Sequence, residues 1–190
     1  NLFNKMKKIN KLIGYDYLFH QLNKLYLNNA LPSKIILSGK KGIGKSLFTT
    51  HFVNSIFSQD EEYKYDLDEL IINNQNKSHL LFKNNIHPNI LLINKKNDKK
   101  NIEISQIREM ISFCNKSSFN NQHKIILIDN AEYLNVNSVN AILKIIEEPN
   151  EKIFFFLILN SSKYLLDTVR SRCIKFNINL NNNQKKLVIE

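Results

Sequence analysis

A glycine- and lysine-rich stretch early in the chain could bind a phosphate-bearing ligand. Residues 39–46 read Gly-Lys-Lys-Gly-Ile-Gly-Lys-Ser, which fits the spacing of a phosphate-binding loop. In such a loop the glycines let backbone N–H groups surround the β-phosphate, Lys45 reaches the β- and γ-oxygens, and Ser46 coordinates Mg²⁺. The motif predicts a nucleoside triphosphate site, and a chance Gly-Lys turn is the alternative. The predicted nucleotide contacts are Gly39, Gly42, Ile43, Gly44, Lys45, Ser46 and Leu47.

An acid is also expected at the end of a neighbouring strand, because Mg²⁺ needs a second anchor, held directly or through water. Asp129 ends the apolar run 125–128, so it is the predicted partner of Ser46 at the metal. The alternative is that Asp129 only caps the segment that follows it.

The elements that must position these residues alternate along the chain. Apolar runs and helical periodicity predict strands and helices in turn, which is typical of a doubly wound α/β fold with a mostly parallel five-stranded sheet flanked by helices. The predicted strands are 34–38, 90–93, 125–128, 153–159 and 173–176. The predicted helices are 14–29, 47–57, 104–114, 134–148 and 164–171, with weaker patterns at 67–72 and near Leu80 and an unfinished helix at 184–189.

Composition bounds the class of protein. An apolar fraction of 43% with 23% charged residues is typical of a folded globular chain. The net charge of +10 permits attraction to nucleic acid, although a lysine-rich surface without that function is an equal alternative. Cys114 and Cys173 are too far apart in sequence to suggest zinc or a disulfide framework. No apolar run approaches the length of a membrane span, so we expect a cytoplasmic protein with no membrane contact.

Two motifs in the second half of the chain carry a family resemblance. Residues 140–149 read Asn-Ala-Ile-Leu-Lys-Ile-Ile-Glu-Glu-Pro, and residues 171–173 read Ser-Arg-Cys. Together with residues 129–134 they resemble the clamp-loader branch of the AAA+ ATPases. The resemblance runs from about Ile13 to Phe176 and implies a P-loop AAA+ core that binds ATP with Mg²⁺.

The same resemblance implies a domain organisation. Residues 1–176 would form the AAA+ nucleotide-binding domain, and residues 177–190 would begin a helical lid that is truncated here. The segment 54–86 lacks the cysteines of a family zinc module, so we expect no zinc.

The resemblance also implies roles for single residues. In this family the arginine of the Ser-Arg-Cys triplet projects toward the γ-phosphate held by a neighbouring subunit, which makes Arg172 the expected arginine finger in trans. On the residues alone, Arg172 could be a surface arginine near the start of a strand. Asn160 lies near the family's γ-phosphate sensor, and Arg108 matches a recurrent family arginine of unassigned role.

One position departs from the hydrolysing members of the family, which have a glutamate where this chain has Asn130. An amide can hold a water but cannot accept its proton, so the general-base contribution of about 10²–10⁴-fold would be absent. Glu132, two residues further on, is expected to point elsewhere. We therefore expect ATP binding with weak or no intrinsic hydrolysis, which favours the delta-prime branch of the family.

A delta-prime-like subunit of the DNA polymerase III holoenzyme would assemble with gamma/tau and delta subunits. It would act on the sliding clamp indirectly and meet primed DNA through the complex during replication. The same-family alternative is an ATP-hydrolysing gamma/tau motor. Alternatives of other classes are a free-standing P-loop enzyme, such as a nucleotide kinase, and an interaction module with a relic loop.

Overall fold

The computed structural model describes residues 10–147, 152–182 and 184–185. The chain divides into two compact units, and each is described by itself. The sheet unit comprises the described residues of 32–42 and 87–178. The helical unit comprises the described residues of 1–31, 43–86 and 179–190.

The helices and strands alternate as the sequence predicts. All five predicted strands are confirmed, with ends that differ by at most one residue. In chain order the elements are α1 (Asp16–Leu27), β1 (Lys34–Gly39), α2 (Lys45–Phe57), α3 (Lys77–Lys83), β2 (Ile90–Asn94), α4 (Ile104–Asn115), β3 (Lys124–Asp129), α5 (Val136–Glu147), β4 (Ile153–Asn160), α6 (Asp167–Arg170) and β5 (Ile174–Asn177).

The sheet unit contains one five-stranded sheet in the order β2-β3-β4-β1-β5, and every neighbouring pair is parallel. The central strands β3 and β4 are almost continuous apolar runs, and β4 is buried from Ile153 to Leu159. Such runs are required where a parallel strand is covered on both faces. The edge strand β5 is mostly exposed.

Helices α4 and α5 supply the apolar side chains that pack with the sheet in this unit. Ile107 and Met110 of α4 and Ile142 of α5 are fully buried in one cluster with Phe155 and Leu157 of β4. Burying one such side chain contributes roughly 1.5–3 kcal/mol. This packing fixes the carboxyl ends of the strands, where the predicted site residues lie.

The helical unit has an aromatic core. Phe19 of α1 is fully buried, and its ring lies 6.1 Å from Phe48 and 6.0 Å from Phe52, both on α2. Tyr65 stacks on Phe19 at 5.4 Å. These ring pairs join α1 to the helix that follows the phosphate-binding loop.

The predicted helical pattern at 67–72 is wrong. Leu70 takes a left-handed φ of 54°, and Ile71 forms isolated antiparallel bridges with Lys11 and Asp66. A residue with a side chain at positive φ ends a helical turn, because the left-handed region is unfavourable to continue. Apolar spacing alone does not encode this turn. The second weak pattern, near Leu80, corresponds to α3.

Three further helix predictions are longer than the helices observed, and the first of them, 14–29, is confined to Asp16–Leu27. The predicted helix 164–171 is confined to α6, because Leu166 is extended with ψ at 134°. The predicted helix 134–148 starts only at Val136, after a short 3₁₀ turn over Ala131–Tyr133. Glu148 and Pro149 lie outside the described residues, as do residues 186–189 of the predicted last helix.

Candidate functional site

The phosphate-binding loop has the backbone that its glycines allow. Gly42 and Gly44 have φ of +81° and +94°, in the left-handed region that side chains disfavour. A Cβ at Gly42 would meet nothing within 4 Å, so the torsion angle and not space is what requires glycine there.

Gly39 is required for a different reason. It is the last residue of β1, and a Cβ there would lie 2.5 Å from the carbonyl oxygen of Ile178. The N–H of Ile178 donates to the carbonyl of Ser38 at 2.7 Å, which holds this backbone against β1. Any side chain at position 39 would push the two segments apart.

The second half of the loop belongs to the helical unit and leads directly into α2. Lys45 begins this helix and is 9% exposed. Thr49 and Thr50 donate their hydroxyls to the carbonyls of Lys45 and Ser46, both at 2.9 Å. The first turn of α2 is therefore fixed in the place where a phosphate would meet the partial positive charge of the helix N-terminus.

Tyr15 is a loop contact that sequence reasoning missed. Its hydroxyl donates a hydrogen bond to the carbonyl of Ile43, and its ring packs edge-on to Phe48 at 5.7 Å. Burial raises the pKa of Tyr15 to about 12, so the hydroxyl stays a donor well above neutral pH. A tyrosine that precedes a helix carries no sequence signal of contact with a loop 28 residues away.

The carboxyl ends of β1, β4 and β3 lie side by side and bring three predicted residues to one edge. Gly39 is in register with Asn160, and Asp129 is in register with Ile158 on the same strand. The Asp129 carboxylate accepts the N–H of Asn130 at 2.8 Å. Asn130 has a left-handed φ of 57°, which turns the chain away from the strand.

Asn160 is the last residue of β4, which extends one residue beyond the predicted strand 153–159. Its side-chain oxygen accepts the N–H of Ser162 at 3.2 Å. Its own N–H donates to the carboxylate of Glu132 at 3.3 Å. Glu132 was expected to point elsewhere, and this is wrong. The 3₁₀ turn after Asn130 brings its carboxylate to the same edge of the sheet.

The structure does not bring Arg172 to that edge. Its guanidinium donates to the carbonyl of Thr168 at 2.8 Å and pairs with Glu147 of α5 at 2.7 Å. The side chain is 40% exposed. Within the described residues, the predicted finger thus lies on an open surface and is held by its own subunit.

A cavity of about 550 Å³, here called the basic groove, opens beside the start of α4. Lys99, Lys100 and Arg108 give it positive charge, and Glu103 caps α4 through a capping box with Gln106. Lys96 donates to Glu103 at 2.6 Å, which lowers the pKa of that carboxyl. The residues around the basic groove are Lys99, Lys100, Asn101, Ile102, Glu103, Ile104, Arg108, Asn135 and Asn137.

Two kinds of feature are absent from the described residues. In the ranges 10–147, 152–182 and 184–185, no group of three or more His, Cys, Asp or Glu side chains could hold a metal ion. The absence of zinc stays a prediction. The helices of this part of the chain are also too short or too polar for any of them to span a membrane.

Known proteins are similar to this chain over most of its length. A family model described as "DNA polymerase III, delta subunit" matches residues 15–182. The DNA polymerase III subunit delta' of Pseudomonas aeruginosa is 29% identical over 140 residues, which are 74% of this chain and 41% of that protein. Its namesake in Buchnera aphidicola subsp. Schizaphis graminum is 38% identical over 97 residues, 50% of this chain and 29% of that protein.

The DNA polymerase III subunit gamma of the same Buchnera strain is 26% identical over 171 residues, 90% of this chain and 44% of that protein. The chain therefore spans less than half the length of these curated relatives.

Two solved structures from Thermotoga maritima share the fold. A DNA polymerase III gamma subunit-related protein has a TM-score of 0.53 and 23% identity, over 88% of this chain and 49% of that one. The RuvB Holliday junction branch migration motor has a TM-score of 0.53 and 17% identity, over 93% of this chain and 49% of that one. At these identities the likeness concerns the fold alone, and it agrees with the predicted mostly parallel five-stranded sheet flanked by helices.

Proposed function

The chain belongs to the DNA polymerase III delta subunit family, and from this premise we propose that it is the delta-prime-type subunit of a loader that places the sliding clamp on primed DNA. The family match over residues 15–182 is the observation that carries the proposal. The relatives named delta' support this branch, and the match to a gamma subunit makes the motor the same-family alternative. We place this replication function in the cytoplasm.

The proposed subunit binds ATP with Mg²⁺ through the phosphate-binding loop. The ordered first turn of α2 and the left-handed glycines support phosphate binding by Lys45 and Ser46. Mg²⁺ in such sites takes one or two protein oxygens besides phosphates and waters, and the Ser46 hydroxyl and the Asp129 carboxylate fit that donor set. When bound, the metal would neutralise phosphate charge. Asn130 supplies no general base, and the Glu132 carboxylate at the same edge accepts the N–H of Asn160, so we propose binding without turnover.

The proposed contribution to catalysis is Arg172, donated in trans to the nucleotide of a gamma/tau neighbour. Its exposure on an open surface supports this role, because a guanidinium that is buried or turned into its own site could not reach another subunit. Stabilisation of transition-state charge by such a finger is worth about 10³–10⁵ in rate.

We also propose that the basic groove contacts the phosphodiester backbone of the primed DNA. Lys99, Lys100 and Arg108 lie together at the start of α4. Clustered cations of this kind bind nucleic acid by displacing counterions from phosphates. The net charge of +10 is compatible with this contact.

Reconstitution tests the proposed function. The full-length protein is mixed with gamma/tau and delta subunits, the sliding clamp, primed DNA and ATP, and clamp loading is measured with and without the protein. The proposal expects assembly and loading that depend on the added chain. A complex that assembles and loads equally well without it would overturn the proposal. Sustained ATP turnover by the chain alone would instead favour the motor alternative, and assembly without ATP binding would favour the relic loop.

A further inference from the structure

The Arg172 side chain is held in a defined place by its own subunit. Nη1 donates to the carbonyl of Thr168 at 2.8 Å and contacts the hydroxyl of Ser171 at 3.4 Å. Nη2 pairs with Oε1 of Glu147 at 2.7 Å. Glu147 is the last described residue of α5, so the pair links this helix to the turn that carries Arg172.

These contacts leave part of the guanidinium available. Arginine carries five N–H donors in a rigid planar fork. Within the described residues, the contacts to Thr168, Ser171 and Glu147 engage three of them. The two others can serve a phosphate while the first three still hold the fork in place.

Glu147 is the charged member of this set of contacts. A long side chain loses rotamer freedom when it is used at an interface, and a carboxylate that fixes it beforehand removes much of that loss. The backbone carbonyl of Thr168 and the hydroxyl of Ser171 are neutral acceptors and bind a cation more weakly than a carboxylate does.

We propose that Glu147 is a positioning residue for Arg172, which holds the guanidinium in the orientation that meets the γ-phosphate of the neighbouring subunit. This inference rests on the proposed function of Arg172 as a finger in trans. Glu147 touches no nucleotide in this account and acts only through the arginine.

The proposal predicts a specific kinetic effect. Exposed ion pairs contribute modestly, so Glu147→Gln should lower the kcat of the neighbouring motor site about two- to fivefold and leave the KM for ATP unchanged. Because the variant acts through Arg172, Glu147→Gln combined with Arg172→Ala should be no slower than Arg172→Ala alone. Rising salt should shrink the difference between wild type and Glu147→Gln, because it screens the pair.

The experiment uses the loader reconstituted with the full-length chain, together with side-chain NMR of the same chain. Asp167→Asn is the matched control, since it also removes an exposed carboxylate from an ion pair, with Arg170, on the neighbouring turn. The proposal expects the control rate to equal that of wild type. It also expects the Nε–H signal of Arg172 to be ordered in wild type and in the control, and mobile in Glu147→Gln.

The results with Glu147→Gln and Arg172→Ala distinguish the positioning role of Glu147 from the finger role of Arg172. If Arg172→Ala slows hydrolysis but Glu147→Gln does not, or speeds it, the positioning role is wrong and the finger survives. If Arg172→Ala has no effect, both are wrong. An equally mobile Arg172 signal in wild type and Glu147→Gln also overturns the positioning role, whatever the rates show.

Discussion

Asn130 combines two properties at one position. It cannot act as a base, and it has a φ of 57°, which asparagine tolerates better than most residues with a side chain. A glutamate there would be strained in the same backbone. The loss of the base and the shape of the turn are therefore linked, and restoring the carboxylate alone would distort the turn that carries Glu132 to Asn160.

This strain predicts a stability change. Asn130→Glu should lower the free energy of unfolding by roughly 1 kcal/mol, because a glutamate tolerates the left-handed conformation less well than an asparagine does. Asn130→Gly should stay within about 0.5 kcal/mol of wild type. Urea denaturation of the chain followed by circular dichroism measures both. Equal stability of the glutamate and glycine variants would show that the turn tolerates any residue.

The phosphate-binding loop predicts a clear binding result. Lys45→Ala should abolish binding of ATP with Mg²⁺, because no other side chain in the motif reaches the β- and γ-oxygens. Lys41→Ala, which changes an exposed lysine of the same loop, should bind as wild type does. Isothermal titration measures both. Unchanged affinity in Lys45→Ala would mean that the nucleotide binds elsewhere or that the loop is a relic.

Tyr15 predicts a pH dependence. Its pKa is about 12 in the folded chain and about 10 in an unfolded one. Because the folded value is raised, the stabilisation is complete below pH 10 and is lost as the pH rises toward 12. Wild type should therefore lose more stability than Tyr15→Phe over this interval. The free energy of unfolding of both proteins is measured from pH 9 to pH 11.5. If it falls by the same amount in wild type and in Tyr15→Phe, the raised pKa of Tyr15 is wrong.

At the scale of elements, the sequence predicts the strands well and the turns poorly. Strands β3 and β4 are found because buried parallel strands are continuous apolar runs. The contact of Tyr15 with Ile43 and the reach of Glu132 to Asn160 are not found, because both depend on turns that bring distant residues together. Residues 67–72 have the apolar spacing of a helix, but the left-handed φ of Leu70 prevents a helix there.

The start of α4 predicts a salt-dependent effect on DNA. Arg108→Ala should weaken binding of the loader to primed DNA and reduce the slope of log affinity against log salt by about 1, since one phosphate contact is lost. Lys116→Ala, at the other end of the helix, removes the same charge and should leave the slope unchanged. Fluorescence anisotropy over a salt series measures this. If Arg108→Ala and Lys116→Ala give the same slope of log affinity against log salt, the basic groove does not contact the DNA.

At the scale of the molecule, the family and the fold predicted from the sequence, a mostly parallel five-stranded sheet flanked by helices, are confirmed. The division into a core of residues 1–176 and a lid from 177 stays a prediction. We propose that the loop binds nucleotide and that Arg172 serves catalysis at the neighbour's site. The Ser-Arg-Cys motif suggests this role for Arg172. Its target would lie in a neighbouring subunit, which the sequence of one chain does not describe.

Single-turnover ATP hydrolysis at the motor site next to this subunit tests the central claim most directly. In the reconstituted loader, Arg172→Ala should slow that step by on the order of 10³-fold, because the transition-state charge loses its guanidinium. Arg170→Ala, which removes an exposed arginine of α6, should stay within about twofold of wild type. An Arg172→Ala loader that hydrolyses ATP at the wild-type rate would contradict the account.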